Sequence, residues 1–165
     1  METQGTAEQD GSVGARLRAL GLALPAVPAA VAAYVPAAAS GASVWTSGQL
    51  PFQDGRLLTT GRVGDKVTIE EAYEAARLSA LNALAAAAQA AGGVDRIAGV
   101  LKVVGFVQSG PDFHDQPKVV NGASELYEAL FGNEGRHARS AVGVSSLPLD
   151  APVEIEVIFR LHEAR

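Results

Sequence analysis

Arg139, Glu154 and Glu156 are the residues whose types and spacing most directly offer chemistry: one permanent cation, then two acids, in neighbouring alternating runs. A planar guanidinium grips a carboxylate or phosphate through paired hydrogen bonds. A carboxylate held on a strand can move a proton or orient water. In GRHARSAVGV, the two-residue period of a strand separates Ser140, Val142 and Val144 from Arg139, Ala141 and Gly143. The valines are expected to face a core, which sends Arg139 to the other face beside the small Ala141 and Gly143, where an anion has room. In VEIEVIF, Val153, Ile155, Val157 and Phe159 share one face, and Glu154 and Glu156 take the other. The LPLDAP segment between them, with Pro148, Asp150 and Pro152, predicts a hairpin joining the two runs. Solvated or ion-paired residues on the outside of an antiparallel sheet give the same pattern more often than catalysis does, so spacing alone leaves both readings open.

Other elements must hold these residues in place. Residues 1–11 are polar and read as a flexible terminus, and residues 12–165 read as a single domain. Ser12 can cap a short helix to Leu20. Pro25, Pro28 and Pro36 then forbid a regular helix in an alanine-rich stretch that should run extended, with Tyr34 pinning it by packing. Ser43–Leu50 reads as a strand paired, across the Asp54–Gly55 turn, with Arg56–Thr60. Gly48 after Ser47 suggests a bulge or a close backbone approach, and the Ser47 hydroxyl could contact a ligand there. Thr68–Ala91 is the clearest helix, with a Thr68/Glu71 capping box and Gly92–Gly93 to stop it. Val100–Gln108 is a strand buried on at least one face. Asp112 can cap a turn, Pro117 interrupts it, and a helix runs from about Val120 or Asn121 to Phe131, with Asn121 as a helix-start residue. Helices following pairs of strands imply an α+β domain, a mixed β-sheet covered on one face by two helices. The opposite face, expected to carry Arg139, must meet water or another subunit.

Composition narrows the function classes. A net charge of −5 argues against a general nucleic-acid or anionic-membrane binder. No apolar run reaches membrane-spanning length and the opening residues do not resemble a signal peptide, so a soluble, cytoplasmic protein without a membrane partner is expected. With no cysteine, thiolate chemistry is excluded. His114, His137 and His162 lack metal-ligand spacing and read as surface histidines, so no metal site is expected. Arg136, His137 and Arg139 form a small basic cluster without an aromatic stacking platform, which argues against RNA as the ligand. Phosphate-loop, dinucleotide and GxSxG signatures are absent.

One set of short motifs nevertheless occurs in a telling order. Tyr34 follows an Ala/Pro-rich lead, then come S47-G-Q49, the capped helix, V104-x-F106-V107, D112-F113 and N121-x-x-x-E125-L-Y-E-A-L-F131. A138-R139-S140-A-V-G-V144, L147-P148 and V153-E154-I-E156 complete it. From Pro28 to Phe159 the chain resembles the RidA/YjgF reactive-intermediate deaminases, some of which carry the older label L-PSP endoribonuclease. The resemblance implies a chorismate-mutase-like α+β fold, a homotrimer with ligand sites between subunits, and hydrolysis of 2-imino or 2-enamino acids to 2-keto acids and ammonia. It implies no metal or organic cofactor. Arg139 falls on the family's carboxylate-binding arginine and Glu154 on its site glutamate, while Tyr34, Ser47 and Asn121 match other pocket positions. Ala141 stands where many active members have cysteine, leaving only its backbone amide for a substrate. Ala32–Ala33 replace a Gly-Pro pair before the tyrosine. These departures keep a second reading alive, a non-catalytic trimer that binds or senses a small carboxylate; ribonuclease activity comes third.

Overall fold

The longest apolar strand organises the molecule. In a computed structural model that describes residues 11–28 and 33–163, seven strands and three α-helices follow one another along the chain. They are α1 (Val13–Ala19), β1 (Ala37–Ser40), β2 (Ser43–Thr46), β3 (Phe52–Gln53), β4 (Arg56–Leu57), α2 (Ile69–Ala91), β5 (Ile97–Gln108), α3 (Gln116–Phe131), β6 (Ala138–Val144) and β7 (Val153–Leu161). Five strands form a mixed sheet in the order β1-β2-β7-β5-β6, with β5 and β6 parallel and the other neighbours antiparallel. Helices α2 and α3 cover one face. Val44, Val103, Val107, Ile155, Val157 and Phe159 from that face join the alanines of α2 and Val119, Val120, Ala123, Leu126 and Tyr127 of α3 in one core. The expected α+β arrangement, a mixed sheet with two helices on one face, is what forms.

Local signals set the helices. Thr68 accepts a hydrogen bond from the Glu71 amide while the Glu71 carboxylate accepts from the Thr68 amide, and Gly92 closes α2 in the left-handed region at φ 84°. Small side chains on α2 allow close approach by α3. A Cβ at Gly122 of α3 would overlap the Tyr73 carbonyl of α2, so glycine there sets how near the two axes come. Helix α1, capped by Ser12 as expected, packs Val13 and Leu17 into the core, and Arg16 reaches the Leu130 carbonyl at the end of α3. The described residues contain no helix long and apolar enough to cross a membrane.

Three expectations are corrected. The run Arg139–Val144 does not form a hairpin with Val153–Phe159: β5 lies between them, paired with β6 on one edge and β7 on the other. A strand as apolar as β5 needs both edges hydrogen-bonded, and the β5–α3–β6 crossover delivers β6 parallel to it. The LPLDAP segment therefore crosses the end of β5, with Leu149 and Asp150 at φ 57° and 60°. The Gln108 side chain ties it there, donating to Asp150 Oδ1 at 2.7 Å and accepting from the Leu147 amide at 2.8 Å. Next, Pro117 does not break off a turn ahead of the helix; it sits in the first turn of α3, where a missing N–H costs nothing. Asn121 is consequently inside the helix, and Asp112 caps nothing. Lastly, Asp54–Gly55 turns the short β3–β4 hairpin, whereas β2 pairs with β7 and with β1, which occupies the end of the stretch expected to be merely extended.

Candidate active site

Arg139 lies on the face opposite to the one expected. Its partner across the parallel ladder is Val103, which is wholly buried under the helices, and directly paired residues share a face. Arg139, Ala141 and Gly143 thus point toward α3, while Val142 is 43% exposed on the uncovered side. Alternation told the two sets apart but assigned the core to the wrong one, because β6 is an edge strand and its valines lie beyond the cover of α3. The surroundings of Arg139 are small: Ala141 faces Gly105, and a Cβ on Gly105 would overlap Val120 of α3.

On the helix side the arginine is held firmly. Nη1 donates to Asn121 Oδ1 at 2.8 Å and to Ser124 Oγ at 3.1 Å. Its Nε and Nη2 have no protein partner among the described residues, which leaves a two-pronged donor edge for a carboxylate. Asn121 and Ser124 are three apart on α3 and so share a face. Ser124 was missed by sequence reasoning, although this spacing from Asn121 was a usable signal. His137 was also misjudged as a surface residue. It is half-buried between Ser124 Oγ, 3.0 Å from Nε2, and the Gly135 carbonyl, 2.7 Å from Nδ1. Burial, aided by the charge of Arg139, pushes its pKa down against the opposing pull of the Gly135 hydrogen bond.

A second group forms on the uncovered face of the sheet. Glu154 sits opposite Phe106, half-buried, and burial raises its carboxyl pKa with help from the neighbouring Glu156 charge. Reciprocal hydrogen bonds between the Gln49 and Ile155 backbones bring the 47–49 segment alongside β7. Gly48 then lies against the Glu154 carboxylate so closely that a Cβ would overlap it. The close approach read from Gly48 is therefore real. Ser47 donates through Oγ to the Val35 carbonyl at 2.6 Å, fixing the strand that leads from Tyr34, itself 56% exposed. Residues 29–32, including Ala32 of the altered approach to Tyr34, lie outside the described residues, as do residues 1–10 of the expected flexible terminus.

The chain thus presents two separate groups of candidate residues rather than one. Arg139, Asn121 and Ala141 come together on the helix side; Glu154, Ser47 and Gly48 come together on the open side. Arg139 and Glu154 flank β5 three rows apart, about 14 Å between backbones from strand spacing and rise, and on opposite faces. Glu154 is accordingly level with Val142, across β5 from it. An open hollow at the C-terminal ends of β5 and β6, lined by Ser109, Phe113, His114, Gln116 and Gly143, contains none of the expected site residues.

Known proteins resemble this chain in sequence and fold. Residues 14–161 match the family described as "YjgF/chorismate mutase-like, putative endoribonuclease". Protein TCP17 of Trypanosoma cruzi is 43% identical over 92% of this chain and 96% of its own length. The 2-iminobutanoate/2-iminopropanoate deaminase of Salmonella typhimurium is 36% identical over 79% of this chain and 89% of its own. A crystal structure of a protein of unknown function from Agrobacterium tumefaciens superimposes with a TM-score of 0.84 at 44% identity, covering 91% of this chain and 92% of that one. With the family match running through the whole sheet and both covering helices, this chain belongs to the YjgF/chorismate-mutase-like family.

Proposed function

We propose that the protein hydrolyses reactive 2-imino or 2-enamino acids to 2-keto acids and ammonia, in clefts between adjacent copies of a homotrimer. The observation that carries this reading is the Arg139 guanidinium, braced through one nitrogen by Asn121 and Ser124 and open along its other edge. A substrate carboxylate seated on that edge by two parallel hydrogen bonds would hold the neighbouring imine carbon in one place. Glu154 from an adjacent copy would orient the attacking water and pass its proton to nitrogen. Water adds to C2, the C–N bond of the resulting carbinolamine breaks, and ammonia leaves as the C=O forms. A carboxyl with a raised pKa suits such proton traffic. The separation of the two groups within one chain favours a shared site. So do Trp45 and Val142, 55% and 43% exposed on the uncovered sheet face that a neighbouring copy would cover. Ser47 and Tyr34 would close the cleft, and the Ala141 amide would meet the substrate. No cofactor enters this chemistry.

The test is release of 2-keto acid from imino acids generated in situ by an amino-acid oxidase. Arg139→Ala should lower kcat/KM by roughly two to three orders of magnitude, and undiminished hydrolysis by that variant would refute the proposal. Ala141, in the place of the family's common cysteine, favours a second reading, a trimer that binds a small carboxylate without turning it over. Binding of 2-keto acids with no hydrolysis across several side-chain types would select it. Ribonuclease activity is the weakest reading, given the acidic chain and the basic cluster without aromatic residues for stacking.

A further inference from the structure

We propose that His137 is a positioning residue that, through Ser124, sets the orientation of the Arg139 guanidinium; this rests on the carboxylate-binding role given to Arg139 above. The proton positions follow from the partners. Gly135 offers His137 a carbonyl oxygen, which can only accept, so Nδ1 carries a hydrogen. Burial and the Arg139 charge favour the neutral ring at neutral pH, and with Nδ1 protonated its Nε2 lone pair accepts the single hydroxyl hydrogen of Ser124. Ser124 Oγ then faces Arg139 with lone pairs alone and accepts from Nη1. The second hydrogen of Nη1 goes to Asn121 Oδ1.

Both Nη1 hydrogens are thereby used, the guanidinium plane is pinned, and Nε and Nη2 are presented to a ligand. Without the imidazole acceptor, the Ser124 hydroxyl is free to rotate toward other acceptors, and its lone pairs are no longer held on Nη1. The local sequence builds the support for this chain. A Cβ on Gly135 would overlap the Tyr127 carbonyl, so only glycine lets the backbone turn close under α3 and aim its own carbonyl at His137. Tyr127 packs edge-on against the imidazole, at a centroid distance of 6.3 Å, and its hydroxyl is taken by the Ala80 carbonyl. Arg139 is the charged group acting on the ring among the described residues.

The experiment compares wild type, His137→Phe, His137→Gln, Ser124→Ala and the His137→Phe/Ser124→Ala double variant. Imine hydrolysis gives KM and kcat, and titration with 2-oxobutanoate gives affinity. Nitrogen NMR of the imidazole gives the tautomer. For a lost hydrogen bond that orients rather than contacts the ligand, His137→Phe should raise KM and weaken 2-oxobutanoate roughly five- to tenfold, with kcat held within about twofold. His137→Gln, which keeps an acceptor near Nε2, should recover most of that loss. The double variant should be no worse than Ser124→Ala. At neutral pH the ring should be neutral with its hydrogen on Nδ1. A hydrogen on Nε2, or unchanged KM and affinity in folded His137→Phe, overturns the proposal. Should His137→Phe not fold, Ser124→Ala with undiminished affinity overturns it equally. A wild type that binds 2-oxobutanoate without hydrolysing imines would sink the deaminase reading while the binding arm still decides the relay. A wild type that does neither overturns both.

Discussion

The two groups of candidate residues are built in contrasting ways. Around Arg139, on the helix-covered side, every nearby group is fixed: Asn121 and Ser124 by α3, His137 by the Gly135 carbonyl, and α3 itself by its close contact with α2 at Gly122. Around Glu154, on the open side, the side chain is confined mainly by the absence of one, at Gly48, and by the repulsion of Glu156. A carboxylate-binding cation gains from preorganisation, since ordering it during binding would subtract from affinity. A group that must take up and release a proton gains from being desolvated and only loosely partnered. The difference predicts that damage to the two sides will separate stability from activity.

Glu154→Gln is the sharpest way to expose that separation. Loss of a general acid or base should lower kcat by about 10²- to 10⁴-fold, whereas the melting temperature at neutral pH should hold or rise, because the folded state pays to keep this carboxyl charged. A clear fall in melting temperature would mean the carboxylate supports the fold. On the arginine side the order reverses. Gly122→Ala forces a methyl into the Tyr73 carbonyl of α2, and overpacking of this kind should lower unfolding free energy by about 1–3 kcal/mol in chemical denaturation. Unchanged stability would show that the α2–α3 contact has slack.

Gly48→Ala should be gentler. Its Cβ meets the far end of a flexible side chain, which can swing away, so melting should move little while displacement of the carboxylate lowers kcat/KM by on the order of tenfold. Equal activity would place the working position of Glu154 elsewhere.

The smallest effect is that of pH on the fold. The folded-state pKa of His137 lies below its ordinary value of 6.5, so below about that pH the unfolded chain takes a proton that the folded chain refuses. Stability from this group is full above 6.5 and falls as pH drops toward the folded value. Glu154 acts in the other sense: its folded pKa is raised, so its contribution is present at low pH and is lost as pH rises through that folded value. Melting curves between pH 7.5 and 5.5 should therefore show wild type losing more stability on acidification than His137→Phe, and parallel curves would refute the histidine assignment.

Local chemistry alone was enough for several features. Thr68, Glu71 and Gly92 bound α2, Ser12 caps α1, and Asp54–Gly55 turns a hairpin, because each signal acts between residues a few positions apart. Alternation along β7 placed Val153 to Phe159 inward and Glu154 and Glu156 outward, since a strand with a continuous apolar side has one way to face a core. The identities of Arg139 and Glu154 as candidate site residues were legible in the same way, as charges standing on regular structure. What the sequence could not decide was which strands meet. That β5 separates β6 from β7, that Arg139 faces α3 rather than the open side, and that His137 reaches Ser124 all follow from long-range pairing. A period of two divides a strand into two faces without naming the inner one; on the edge strand β6, burial under α3 settles that choice, and only the assembled sheet and helices supply it.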